Sequence, residues 1–291
     1  MARVNRAVEL LEQGQPIYYA GPVERSYAGG VKMAQTWADY IGYDMEHSPL
    51  DVPSLAAFMH GLVDGGPTKS GHRTPAVIVT LPMDGISEDA IRCNSWIIKQ
   101  ILATGVHGLL LCHAEKAEAV KAFVETCRYP FNTIGTGARL DVGRRGGGGQ
   151  AGAAAIWGLS IDDYLAKADP WPLNPNGELL LGLKIENKRA LANAEVSLAV
   201  PGLSFAEWGP GDMGMSLGYP NNHDEPFPEP MIQARARVLA ACKANKLAFL
   251  NTVHPRDVVM RIEEGVMIGA GPNGEEAANI GRKHTGRQMP W

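Results

Sequence analysis

Two segments, Lys184-Ile185-Glu186-Asn187 and Gly209-Pro210-Gly211-Asp212-Met213, each place a lone carboxylate just after an apolar run. Two acids at the mouths of two neighbouring strands are a donor set for a hard divalent cation, Mg²⁺ or Mn²⁺, with Co²⁺ also accommodated. A cation held there could polarise a carbonyl. Taken singly, each acid reads more readily as a solvated loop residue than as a ligand, and Asp212 as a helix cap. Their pairing, and the glycines that let backbone approach an ion beside Asp212, favour the metal-ligand reading. His47 is the candidate base. Asp44, three residues before it, can hold one ring nitrogen and so raise the basicity of the other. Such a histidine can move protons at an enolate carbon or a hydroxyl. Glu46 is expected to meet metal-shell water or to turn outward. His113 and His254 read as structural. The histidines form no HExxH pair, and Gly146–Gly149 lacks the following Lys-Ser/Thr of a phosphate loop.

These groups need strands that end at one rim. Short apolar runs are predicted as strands at Ile17–Ala20, Tyr40–Asp44, Ala76–Thr80, Gly108–Cys112, Leu179–Ile185, Ser204–Trp208, Leu247–Val253 and Val266–Gly269, with amphipathic stretches between many of them. Strands alternating with helices imply a parallel α/β sheet, and eight in this length favour a closed (β/α)8 TIM barrel forming one domain over residues 1–291. No GxGxxG follows the first strand, which weakens an open doubly wound sheet. Asp44, His47, Glu186 and Asp212 then fall at strand ends, where barrel enzymes carry their chemistry. Arg139–Ala155, with its four consecutive glycines, is expected as a mobile loop. Residues 270–291 read as an irregular, non-standard tail at subunit contacts, too irregular for the eighth barrel helix.

Composition agrees with a globular chain. Of 291 residues, 45% are hydrophobic and the net charge is −4, which points to no nucleic-acid or anionic-membrane partner. Cys93, Cys112, Cys127 and Cys242 form no CxxC pair, so free thiols in a reducing compartment are expected rather than a zinc site. No apolar run reaches membrane-span length, and the first residues lack a signal-peptide core. The expectation is a soluble cytoplasmic protein.

Several segments together resemble the HpcH/HpaI aldolase family of metal-dependent class II pyruvate aldolases. They are Asp39 to Asp51 with Asp44-Met45-Glu46-His47, Arg128-Tyr129-Pro130, Leu183-Lys184-Ile185-Glu186, and Gly209-Pro210-Gly211-Asp212-Met213 with Ser216-Leu217-Gly218. The resemblance runs from about residue 15 to 270. It implies a barrel of the phosphoenolpyruvate/pyruvate superfamily, usually a homohexamer, with a trimer or dimer as alternatives. The implied reaction is reversible aldol cleavage of a 4-hydroxy-2-oxo acid into a 2-oxo acid and an aldehyde. By this match Glu186 and Asp212 bind the metal and His47, oriented by Asp44, transfers a proton. Gly211, Thr80 and Arg145 fall at substrate-contact positions.

Two departures stand out. The family carries an arginine at the end of the third strand, where this chain has Thr80, and commonly a glutamine where this chain has Lys184. Lys184 and Glu186 share a strand face, so Lys184 is expected to point into the barrel and supply the missing positive charge. The alternative is that Lys184 only pairs with Glu186 or another inward acid. Arg73 and Arg92 are further candidates for an anion contact. Two other functions remain open at this point: a malyl-CoA-type thioester lyase of the same superfamily, and an altered barrel that serves in binding or assembly.

Overall fold

Apolar side chains on both faces of a strand require cover on both faces, and that is how the strands are used. The computed structural model describes residues 3–222 and 224–291. Its strands are β1 (Ile17–Ala20), β2 (Tyr40–Asp44), β3 (Ala76–Asp84), β4 (Gly108–Cys112), β5 (Pro170–Trp171), β6 (Leu179–Lys184), β7 (Phe205–Glu207), β8 (Ala248–Thr252) and β9 (Val266–Ala270). Every pairing among them is parallel. β1 pairs with both β2 and β9, and the ring closes where β4 meets β6, with Gly108 opposite Leu180 and Leu111 opposite Leu183. Without the two-residue β5, which adds to the start of β6, this is the eight-stranded (β/α)8 barrel expected from the sequence.

Period-two alternation sorts the strands into two cores. Tyr40, Ile78, Leu110, Leu180, Phe205 and Leu250 fill the barrel interior. The residues between them, such as Ile41, Val77, Leu109, Leu181 and Ala206, join the larger core shared with the surrounding helices. Gly42 lets the Tyr19 ring lie across β2, since a Cβ there would come within 2.9 Å of that ring.

Two expectations are corrected. Residues 270–291 are not an irregular tail: Gly274–His284 is an α-helix that packs against β1, β9 and the helix Val258–Glu264. Lys283 and His284 are exposed, but the two arginines are not. Arg282 and Arg287 are buried, together with Arg6, around one buried carboxylate, Asp39, at the start of β2. Asp39 Oδ1 lies 2.7 Å from Arg287 Nη1, 3.1 Å from Arg282 Nη2 and 3.4 Å from Arg6 Nη2, while Oδ2 accepts from the Tyr18 N–H at 2.9 Å. This knot ties both chain ends to the barrel floor, opposite the rim where the strands end. The second correction concerns Arg139–Ala155. The glycines do form a turn, with Gly148 and Gly149 at positive φ, but a helix begins immediately after them at Gln150.

Beside β4, His107 is buried, its ring 5.5 Å from and nearly parallel to Trp157, with Nδ1 facing the Val77 N–H at 3.2 Å. Burial pushes its pKa down to about 3. The folded state therefore holds a neutral imidazole that the unfolded chain protonates below about pH 6.5. Stability is unaffected above that pH and is lost as pH falls from about 6.5 towards 3. At pH 5 this one group costs about 2 kcal/mol. Urea unfolding at pH 7 and pH 5 checks this. His107→Asn should flatten the loss by about that amount, and an unchanged slope in the variant would refute the assignment.

Candidate active site

The inward positions of β2, β6 and β7 carry polar groups only at their last turns. On β2 the inward series is Tyr40, Gly42, Asp44; on β6 it is Leu180, Gly182, Lys184; on β7 it is Phe205 and Glu207. Lys184 and Glu207 are register partners across β6 and β7, and Asp44 is the register partner of Thr80 across β2 and β3. These residues surround the mouth and upper wall of a cavity of about 280 Å³ that descends along the barrel axis.

Glu186 follows β6 and is fully buried. Its Oε1 accepts the His113 N–H at 3.0 Å, which is presented from a left-handed backbone, φ 43°, at the end of β4. Left-handed backbone at a non-glycine residue is costly and collects at functional sites. Glu186 Oε2 accepts no hydrogen bond, although Lys184 Nζ stands 2.9 Å away. Gly209 makes room for this oxygen, since a Cβ there would lie 2.8 Å from it. Asp212 does not cap its helix. The helix Pro210–Leu217 starts from Gly209, and Asp212 sits in its first turn directly after Gly211. There its carboxylate converges with Glu46, His113 and Glu186, one ligand atom from each lying within 4.8 Å of the others. The helix is tied to the start of the earlier helix Lys188–Ala192 by Ser216 Oγ, which accepts from the Lys188 N–H at 2.9 Å. Three carboxylates and one imidazole with a buried, unsatisfied oxygen fit a hard divalent cation.

Lys184 is buried, with Nζ 2.6 Å from Glu46 Oε2 and 2.9 Å from Glu186 Oε2. Burial alone would lower its pKa, but the surrounding carboxylates, Glu207 and Glu186 foremost, outweigh that and keep it charged. The two readings of Lys184 thus meet in part: it does point inward, and it does pair with acids. His47 stands at the exposed mouth with Nδ1 2.8 Å from Asp44 Oδ2. That hydrogen bond raises the His47 pKa, with Glu46 adding to it. Burial works against the Asp44 charge, but the His47 ring and the backbone N–H groups of Glu46 and His47 outweigh it and hold the carboxyl low.

The arginines expected near substrate lie elsewhere. Arg145 is buried away from the cavity, donating to Tyr164 Oη at 2.5 Å and lying over the Tyr129 ring at 4.6 Å. The turn at Gly146–Gly149 leads straight into the helix Gln150–Trp157, which packs on Ile161–Lys167 and draws Arg145 inward onto those two tyrosines. Arg73 Nε donates to the Ile156 carbonyl, and Arg92 pairs with Glu125. Among the described residues, Lys184 is therefore the cation that faces the cavity.

Three groups at the site carry little signal in the sequence. Glu46 has no fixed place there, and His113 reads as structural. Glu207 was not singled out, although its spacing from the inward Phe205 would have placed it inside the barrel. Burial, followed by the nearby acids, raises the Glu207 pKa to about 7 despite the opposing charge of Lys184.

The family model described as HpcH/HpaI aldolase/citrate lyase matches residues 83–267. A hydroxypyruvate/pyruvate aldolase from Roseobacter denitrificans is 31% identical over 219 residues, which is 75% of this chain and 72% of that protein. A 2-keto-3-deoxy-L-rhamnonate aldolase from Salmonella schwarzengrund is 33% identical over 207 residues, 71% of this chain, and the chain spans only 64% of its length. In fold, the chain matches an HpcH/HpaI aldolase/citrate lyase family protein from Burkholderia cenocepacia with a TM-score of 0.71 at 22% identity, covering 97% of this chain and 98% of that one. The chain belongs to the HpcH/HpaI aldolase/citrate lyase family, a family of enzymes that cleave and form carbon–carbon bonds.

Proposed function

We propose that the chain is a divalent-metal-dependent class II aldolase that cleaves and forms a 4-hydroxy-2-oxo acid through a pyruvate-type enolate. The observation that carries this reading is the convergence of Glu46, His113, Glu186 and Asp212 at the barrel mouth, directly beside a cavity faced by Lys184. Glu186 and Asp212 would hold the cation, with Mg²⁺ or Mn²⁺ the best match to the donors. When bound, the cation supplies Lewis acidity for the 2-oxo group.

The protein's own residues supply the rest. An ammonium has three N–H donors, and Lys184 gives one to Glu46 while its charge pairs with Glu186. A remaining donor is available to an oxygen of the substrate that gains negative charge, the role Thr80 cannot fill. His47 is oriented by Asp44 through Nδ1, which leaves Nε2 to exchange a proton. Its place at the exposed mouth suits the hydroxyl of the aldehyde half, which arrives from solvent, better than a carbon deep in the barrel. A homo-oligomer and a cytoplasmic setting remain part of the reading.

The test is exchange of the pyruvate methyl protons with deuterated water. Exchange is expected in the presence of Mn²⁺ or Mg²⁺, and EDTA should abolish it until metal is restored. Absence of exchange for both pyruvate and hydroxypyruvate in saturating Mn²⁺ would sink the proposal.

A further inference from the structure

Glu207 is the acid that this scheme does not use. It lines the cavity from β7, one layer below Glu186, and its neighbours on the wall are largely apolar or aromatic, among them Tyr40, Ile78, Phe205 and Leu250. Lys184, its register partner, is turned up towards Glu46 and Glu186. Among the described residues Glu207 has no side-chain hydrogen bond or ion pair within contact distance; what acts on it is burial and charge at longer range. Glu207 is half-buried on the wall of a cavity that opens at the rim, and a carboxyl group so placed without a protein partner is satisfied by ligand or water.

The level of Glu207 indicates which part of a substrate it meets. An oxo acid held at Glu186 and Asp212 with an oxygen on Lys184 has its reacting groups at the rim. C3, which the aldehyde must meet from the open side, then directs a substituent into the space below, beside Lys184 and Glu207. The aldehyde enters later from the open side. We propose, resting on the aldolase reading above, that Glu207 is a specificity-determining residue that selects a hydroxyl on C3 of the 2-oxo acid.

Hydroxyl chemistry fits better than the alternatives. A hydroxyl donates to a carboxylate and accepts from a carboxylic acid, so it satisfies Glu207 in either state. A second carboxylate on the substrate would face Asp44, Glu46 and Glu207 with Lys184 already shared between two acids. A methyl group would leave Glu207 unsatisfied, and sites built to hydrogen-bond a substrate discriminate strongly against analogues that lack the group.

The experiment uses the whole enzyme with Mn²⁺ and compares C3 proton exchange of hydroxypyruvate with that of 2-oxobutanoate, which carries a methyl in place of the hydroxyl. The expected wild-type preference in kcat/KM is at least about tenfold for hydroxypyruvate. Glu207→Leu should bring the two donors to within about twofold of each other, and Glu207→Gln, which still hydrogen-bonds, should keep most of the preference. A wild type that favours 2-oxobutanoate or treats both alike overturns the proposal without any variant. So does a preference that survives in Glu207→Leu, provided its thermal unfolding midpoint shows a folded protein. Failure of the aldolase reading looks different, because then wild type exchanges neither donor nor pyruvate.

Discussion

Glu186→Gln is expected to lower the rate of pyruvate proton exchange by roughly a thousandfold, equivalent to about 4 kcal/mol of lost transition-state stabilisation. The side chain keeps its shape, and Gln can still accept the His113 N–H through its amide oxygen, so the left-handed turn at the end of β4 is retained. What is lost is the charge at Oε2, the buried oxygen without a hydrogen bond that Gly209 makes room for. Lys184 keeps Glu46 at 2.6 Å and remains in place. The change therefore separates metal binding from folding. Mn²⁺ affinity, followed by the paramagnetic signal of the free ion, should weaken by at least about tenfold alongside the rate. Glu118→Gln, in the first turn of the helix Ala117–Cys127 that follows β4, should leave both unchanged. If Glu186→Gln exchanges within about tenfold of wild type at equal Mn²⁺ affinity, Glu186 is not a ligand and the centre must be sought around Asp44, Glu46 and His47, which form the neighbouring cluster.

Residues whose meaning is local were legible in the sequence; residues whose meaning depends on a distant partner were not. All eight barrel strands could be placed because parallel strands buried on both faces read as apolar runs, and because most of the runs end in polar residues. The rim positions of Glu186, Asp212, Asp44 and His47 could be placed for the same reason, each lying at the end of a run or in the loop that follows it. Lys184 was half legible. Alternation put it inside the barrel, but its partner Glu46 lies 138 positions away, and only the closed ring brings them together. Glu207 was hidden by its short strand, where one acid after two apolar residues reads as a strand end. Arg145 was misplaced because sequence order carried it to the rim, while Tyr129 and Tyr164 offer aromatic faces that hold a guanidinium inside. The C-terminal helix was missed because its polar composition reads as solvated, and Arg282 and Arg287 are core residues only in relation to Asp39.

That last relation carries the largest expected effect on stability. Asp39→Asn should destabilise the protein by about 3–5 kcal/mol, since removing one partner of a buried ionic cluster leaves charge uncompensated away from water. Three buried guanidiniums share this one carboxylate, and their other hydrogen bonds go to the carbonyls of Ala38, Trp37 and Pro16, to Ser70 Oγ and to Asn279 Oδ1, none of which carries a formal charge. Arg282 also lies over the Tyr18, Trp37 and Trp291 rings, so the loss should spread to the packing of Gly274–His284. The first visible consequence should be release of that helix, with faster proteolysis confined to residues beyond 270 before the barrel melts. Urea unfolding measures the first effect and timed proteolysis the second. Because the knot lies at the floor and the acids of the active site at the rim, the folded fraction of Asp39→Asn should keep its pyruvate exchange rate. A loss below about 1 kcal/mol would mean that the arginines are already satisfied by backbone and aromatic faces. In that case Asp39 would only position the Tyr18 N–H at the entrance to β1.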